Sequence, residues 1–174
     1  MSIKISYKNS LSKTSLNLVL FVDEKFNISS LKKHISKNEY FFISDLLKTK
    51  DLKKKIITFD LNSKNKILLV SINKNITYSK VENLGAEFYD LQKSSKQNEY
   101  YLNSDSISSN AKKIVGHFLH GLKLKSYKFD KYKTKKTKKN IFINVTGKNI
   151  PILKDQIKFR AIEEGTFYTR DLVS

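Results

Sequence analysis

The 174-residue chain contains no cysteine and no tryptophan, one proline, five glycines and only two arginines, Arg160 and Arg170. Each scarcity excludes something. Without cysteine there is no disulfide framework, no thiolate nucleophile and no thiolate metal site. The glycines are scattered, and none falls in the GxGxxG or GxxxxGK[ST] spacing that cradles a phosphate. No serine is flanked as a nucleophile elbow, so no complete catalytic constellation is present. No apolar run approaches the roughly 18 residues needed to cross a bilayer. The opening MSIKISYKNS has neither a long apolar core nor a small-residue cleavage site. The expectation is a cytoplasmic protein without a membrane partner.

What is abundant is lysine. Lysine supplies 32 of the 34 basic residues, and the net charge is +18. A field of that size attracts polyanions and speeds association with them. Specific readout of phosphates or guanine edges favours the planar fork of arginine, whereas lysine is a hydrated point charge. Asn, Ile, Tyr and Phe are also plentiful, and all have AT-rich codons, so codon bias drifting into a tolerant surface explains much of the charge. At 39% hydrophobic and 29% charged residues the composition is globular, and the length suits one domain with a proper core.

Residues 3–7 alternate as a half-buried strand does, and SLNLVLFV at 15–22 is continuous enough for a central strand covered on both faces. Ile28, Leu31 and Ile35 repeat at helical spacing behind Asn27, and EYFFISDLL leans helical. KKIITFDL at 54–61 and NKILLVSI at 65–72 read as strands joined by a polar turn. Val81, Leu84, Gly85, Phe88 and Leu91 mark one face of a helix, and NEYYLN at 98–103 a short strand. Ile107, Ala111, Ile114, Val115, Phe118, Leu119 and Leu122 form one apolar stripe, with Ser104–Ser106 as expected caps. Strand NIFINV at 140–145 and a last helix from Pro151 complete the chain. Strands alternating with amphipathic helices predict an α/β three-layer sandwich with a mixed sheet.

Two groups of side chains invite a chemical reading. His117 and His120 stand at i, i+3 and can aim two imidazoles at one metal, but a stable site needs further ligands. Helical geometry turns both away from the apolar stripe, which predicts a solvent-facing pair. His34 is isolated. Glu163 and Glu164 are adjacent carboxylates that diverge by about 100° on a helix, so they read as charge on a connecting helix. No catalytic, metal or cofactor residue is assigned.

GLKLKSYKFDKYKTKKTKKN at 121–140 packs nine lysines between Lys123 and Lys139, interleaved with Tyr127, Phe129 and Tyr132. Lys131, Lys133, Lys135, Lys136, Lys138 and Lys139 are the candidate polyanion contacts, with the aromatics stacking on exposed bases. The competing reading is a helix end, whose dipole favours Lys123 and Lys125, followed by a solvated loop. Physics alone leaves the two level.

Resemblance tips the balance. GLKLKSYKFDKYKTKK (121–136) resembles the stretch in leucyl aminopeptidases where a helix ends and runs into Y-x-F-D-x-Y-K-T-K-K. RAIEEGTFYTRDLVS (160–174) is similar to the same family's A-x-x-E-G-x-x-x-x-R-D-L-V segment, matching at Ala161, Glu164, Gly165, Arg170, Asp171, Leu172 and Val173. GAEFYDL at 85–91 is a weaker match. The resemblance implies a macro-domain-like N-terminal domain over 1–146 and, over 147–174, a linker helix cut before a catalytic domain. It further implies a parent that removes N-terminal amino acids with two divalent metals, manganese or zinc, and assembles as a homohexamer. The family's Asn-Thr-Asp-Ala-Glu-Gly-Arg motif does not occur in the chain. The expectation is therefore a segment inactive by itself, with 121–140 a solvated loop. Two alternatives stand beside it: a basic α/β module that binds nucleic acid nonspecifically, and, by fold analogy alone, a nucleotide pocket.

Overall fold

A computed structural model of the chain describes residues 2–8, 17–127 and 140–173. Six strands, β1 (Ser2–Lys8), β2 (Asn17–Val22), β3 (Ile56–Asp60), β4 (Lys66–Ser71), β5 (Glu99–Asn103) and β6 (Asn140–Thr146), form one sheet in the order β1-β6-β5-β2-β4-β3. Every neighbouring pair is parallel except β3 with β4. That pair is a hairpin whose turn is held by Asn62 Oδ1, which accepts from the backbone N–H of Lys64 and of Asn65, both at 2.8 Å. β2 is buried at all six positions, as expected of a strand flanked by two others and covered on both faces.

Among the described residues four α-helices accompany the sheet: α1 (Lys37–Leu47), α2 (Tyr78–Gln92), α3 (Ala111–Lys125) and α4 (Leu153–Val173). One face of the sheet packs Val19, Phe21, Leu68, Val70, Tyr100 and Ile143 against α2 and α3. The other packs Leu18, Leu20, Ile57, Phe59, Ile67 and Leu69 against Leu31 and α1. The result is the α/β three-layer sandwich with a mixed sheet that the alternation of elements predicts. α2 and α3 cross with backbone nearly touching backbone, because Gly85 lies against the Phe118 carbonyl and Gly121 against the Glu82 carbonyl.

EYFFISDLL is helical, started by a capping box in which Ser36 Oγ accepts from Glu39 N–H and Glu39 Oε2 accepts from Ser36 N–H. Of Ile28, Leu31 and Ile35, in contrast, only Leu31 lies in helical backbone, a single 3-10 turn at Ser29–Lys33 that Ile28 precedes as N-cap and Ile35 follows. Asp23 Oδ1 takes the N–H groups of Lys25 and Asn27, and Phe26 sits at φ 54°, so the chain is bent before a helix can propagate. On α2 it is Gln92, not Leu91, that turns inward: Leu91 is 48% exposed, while buried Gln92 Oε1 accepts from the Tyr100 hydroxyl at 2.8 Å. At about 100° per residue, Gln92 returns close to the direction of Val81 while Leu91 falls to the stripe's edge.

Ser104–Ser106 form their own 3-10 turn and do not cap α3; the cap is Asn110, left-handed at φ 49° and without a side-chain bond. Ile107 therefore precedes the helix. Gly147, at φ 99°, ends β6 against Ser104 and Asp105, where a side chain has neither the space nor the backbone conformation. Pro151 stands two residues ahead of α4 and accepts from Gln156 Nε2 at 2.7 Å.

Candidate functional site

The six lysines singled out between 131 and 139 lie outside the described residues. The two that open the run are on the last turn of α3, where the helix dipole favours cations, and both face carboxylates. Lys125 Nζ is 3.2 Å from Asp90, and Lys123 Nζ is 3.8 Å from Glu163. Tyr127 does not lead into the core. Its hydroxyl donates to Asp171 at 2.6 Å, its ring stacks on Phe167, and the Arg170 guanidinium lies over it.

The histidine pair is not solvent-facing. His120 is only 5% exposed, and its Nδ1 donates to Glu163 Oε1 at 2.8 Å. His117 Nδ1 is 2.7 Å from Glu82 Oε1, and its ring stacks on Tyr78 at 4.3 Å. Phe159 of α4 lies against both imidazoles. The apolar stripe of α3 does face the sheet, but α4 and α2 cover the flank that a single-helix argument leaves to water. Glu163 is likewise no surface charge. It is buried between the two helices, whereas Glu164, one residue on, is exposed.

Chemically, the seam between α3 and α4 is a set of separate imidazole–carboxylate pairs. His117 is committed to α2 and His120 to α4, so the two rings serve different partners. No group of three or more His, Asp or Glu side chains suited to a metal ion occurs among the described residues. The two divalent ions implied by resemblance thus find no ligand set in the described part of this chain, and no step is derived through them. Beside the seam Ile5, Tyr7, Pro151 and Arg160 help enclose a crevice of about 110 Å³. Burial, and then the charge of Glu163, push the Tyr7 hydroxyl above its ordinary pKa.

A larger crevice, about 330 Å³, opens at the carboxyl ends of β2 and β4 between the 3-10 turn at Ser29–Lys33 and the start of α3. Ligands of open α/β sheets enter at such places, yet sequence reasoning passed over it because it has no glycine-rich loop. A few hydrogen bonds tie its wall together. Phe21 N–H donates to Ser106 Oγ, Ser106 Oγ donates to the Asn103 carbonyl, and Ser71 Oγ donates to the Asp23 carbonyl. His34 is not isolated either. Asn103 Oδ1 accepts from Asp105 N–H, so Asn103 Nδ2 is turned toward His34 Nδ1 at 3.0 Å. His34 Nδ1 is then the acceptor and Nε2 carries the proton. Nε2 is buried with no partner among the described residues. Burial, and then the charge of Lys33, hold the His34 pKa below its ordinary value.

The fold has known relatives. Tomato leucine aminopeptidase superposes with a TM-score of 0.65 at 15% identity, covering 91% of this chain and 35% of that one. The bottromycin maturation enzyme BotP in complex with Mn gives 0.61 at 12% identity, covering 92% and 32%. The macrodomain of Thermus aquaticus DarG gives 0.51 at 10% identity, covering 84% of this chain and 98% of that domain. The fold is macrodomain-like. Against the two enzymes the likeness lies in the N-terminal domain region, and this chain spans about a third of their length. No protein-family model and no curated protein matches the sequence.

Proposed function

We propose that the chain is the noncatalytic N-terminal domain of a leucyl-aminopeptidase-like metalloenzyme, with 1–146 as the domain and 147–174 as the helix leading to a catalytic domain. The observation that carries this reading is α4. It is 21 residues long and is held to the rest of the described chain through Lys113 to Asp155, His120 to Glu163 and Tyr127 to Asp171. Leu153, Ile157, Tyr168 and Leu172 lie within about 100° of one another around it, on an arc shared with Glu164, and are 59–70% exposed. Four large apolar side chains left exposed along one helix call for cover, and in this reading the catalytic domain covers them. The peptide motifs at 121–136 and 160–174 and the shared fold support the same assignment. Manganese or zinc, the homohexamer and removal of N-terminal amino acids belong, in this reading, to the parent enzyme.

The test is to express the whole product of the locus and assay leucine amide hydrolysis with added manganese or zinc. The expected result is a longer protein with metal-dependent turnover. A product that ends at Ser174, with no turnover from the locus, refutes the reading. A second reading, a basic module that binds nucleic acid, is favoured by the lysine-dense layer around α1.

A further inference from the structure

We propose that the outer face of α1 binds single-stranded nucleic acid, with Phe41 and Phe42 as stacking rings and the surrounding lysines as phosphate contacts. The proposal rests on the second reading above and gives it an address other than the lysine run at 131–139.

α1 buries Ile43 and turns two adjacent phenylalanines outward, Phe41 at 67% and Phe42 at 42% exposure. Exposed rings of that size are informative where single exposed aliphatics are not. Their setting is cationic: residues 25–55 hold nine lysines and three carboxylates. All three carboxylates are engaged locally. Glu39 closes the capping box, Asp45 pairs with Lys48 at 3.2 Å, and Asp51 accepts from Lys53 N–H at 3.0 Å. Among the described residues, Lys48 is the one of these nine lysines recorded in an ion pair. Lys32 lies over Tyr40 and Lys50 over Phe59, which draws both ammonium groups onto this layer. On the helix itself Lys37 precedes Phe41 by four residues and Lys48 follows it by seven, so the ring stands between two cations on one stripe.

The geometry favours a strand over the other polyanions. Adjacent helical side chains diverge by about 100°, so Phe41 and Phe42 present two ring faces that do not share a plane. Successive bases of a flexible strand can meet rings that point differently. Asp45, one turn beyond Phe41 and 78% exposed, would also be pressed into anionic headgroups by insertion of that ring. Duplex bases are stacked inside the helix and offer no free face to an aromatic side chain. Lysine point charges read no sequence, so binding is sequence-independent and strongly salt-dependent.

The experiment is fluorescence anisotropy with a labelled oligothymidylate of about 20 nucleotides across a salt series. Unlabelled duplex of equal length serves as competitor, and phosphatidylserine vesicles are tested in parallel by co-sedimentation. The variant Phe41→Ala/Phe42→Ala is expected to bind at least about tenfold more weakly. Phe41→Trp/Phe42→Trp is expected to restore affinity. Both rings are exposed, so thermal melts of the two variants should match the parent and exclude misfolding as the cause. Undiminished binding by the alanine variant overturns the proposal while leaving the second reading intact. Failure to bind any nucleic acid at low salt overturns both, as does capture by vesicles alone.

Discussion

Adding one methyl group to the same residue type at two positions should move stability in opposite directions. A Cβ at Gly121 falls 2.0 Å from the Glu82 carbonyl oxygen and 2.5 Å from its carbon. Ordinary contact begins near 3.4 Å, so α3 must retreat from α2 by more than an ångström. The obstacle is helical backbone, which cannot swing aside as a side chain can. Retreat loosens Phe118 and Leu122 against Val81, Leu84 and Phe88, the layer that seals one face of the sheet. Overpacking of this kind costs about 1–3 kcal/mol and sometimes more, while alanine returns about 1 kcal/mol of helix propensity over glycine.

For a clash with backbone we take the upper end of that range, leaving Gly121→Ala about 2 kcal/mol less stable. At Gly165 a Cβ meets nothing within 4 Å. Only the propensity term acts there, and Gly165→Ala should gain about 0.5–1 kcal/mol. With roughly 2–4 °C per kcal/mol at this chain length, the expected Tm changes are a fall of about 4–8 °C and a rise of about 1–4 °C. Circular dichroism melts at matched concentration read both. Gly121→Ala melting at or above the parent temperature would refute the backbone-on-backbone crossing.

Four further outcomes follow from the same structure. Glu163→Ala removes the acceptor of His120 and should weaken the hold on α4 by about 1–3 kcal/mol; trypsin is then expected to cut faster at Lys158 and Arg160, and unchanged cleavage rates would deny the latch. His34, held neutral in the fold, titrates below its ordinary value of 6.5. As pH falls through 6.5 the unfolded chain takes up this proton first, so stability declines from there toward the lower native pKa and levels off beneath it. His34→Gln should reduce that decline in urea midpoints, and an equally steep profile would contradict the assignment. The pure 174-residue chain should hydrolyse no leucine amide with or without manganese or zinc, and metal-dependent turnover would reopen the reading of the histidines. Calorimetric titration with ADP-ribose should give no heat, because the larger crevice has no glycine-rich loop to cradle a pyrophosphate; saturable heat would make it a nucleotide pocket.

The period of the hydrophobic pattern carried most of the fold. β2 and the β3–β4 hairpin declare themselves because a doubly covered strand must be apolar at every position and a hairpin must turn on a residue such as Asn62. The face of α3 is legible for the same reason: Ala111, Ile114, Val115, Phe118, Leu119 and Leu122 are all buried. Where the reading failed, a polar group had found a partner outside the element it was assigned to. Gln92 goes inside because the Tyr100 hydroxyl is there to meet it, and the apolar period of α2 does not show that β5, eight residues on, brings Tyr100 back against the helix end. Asn27 signals a helix start in isolation, but the Asp23 carboxylate takes its N–H and bends the chain.

The histidines make that limit concrete and bear on function. A helical wheel ranks positions by distance from one apolar stripe and assumes a single packing partner. α3 has three: the sheet, α2 and α4. His117 and His120 occupy the flanks, where the wheel assigns water and the fold supplies Glu82 and Glu163. Burial of an imidazole against a carboxylate is favourable only when the hydrogen bond is made. The pair therefore records that a long helix is meant to lie along α3. Leu153, Ile157, Tyr168 and Leu172 of that helix are left exposed among the described residues. Among the described residues the polar contacts of α4 are answered and these four apolar side chains are not, which is the asymmetry that the proposed function uses.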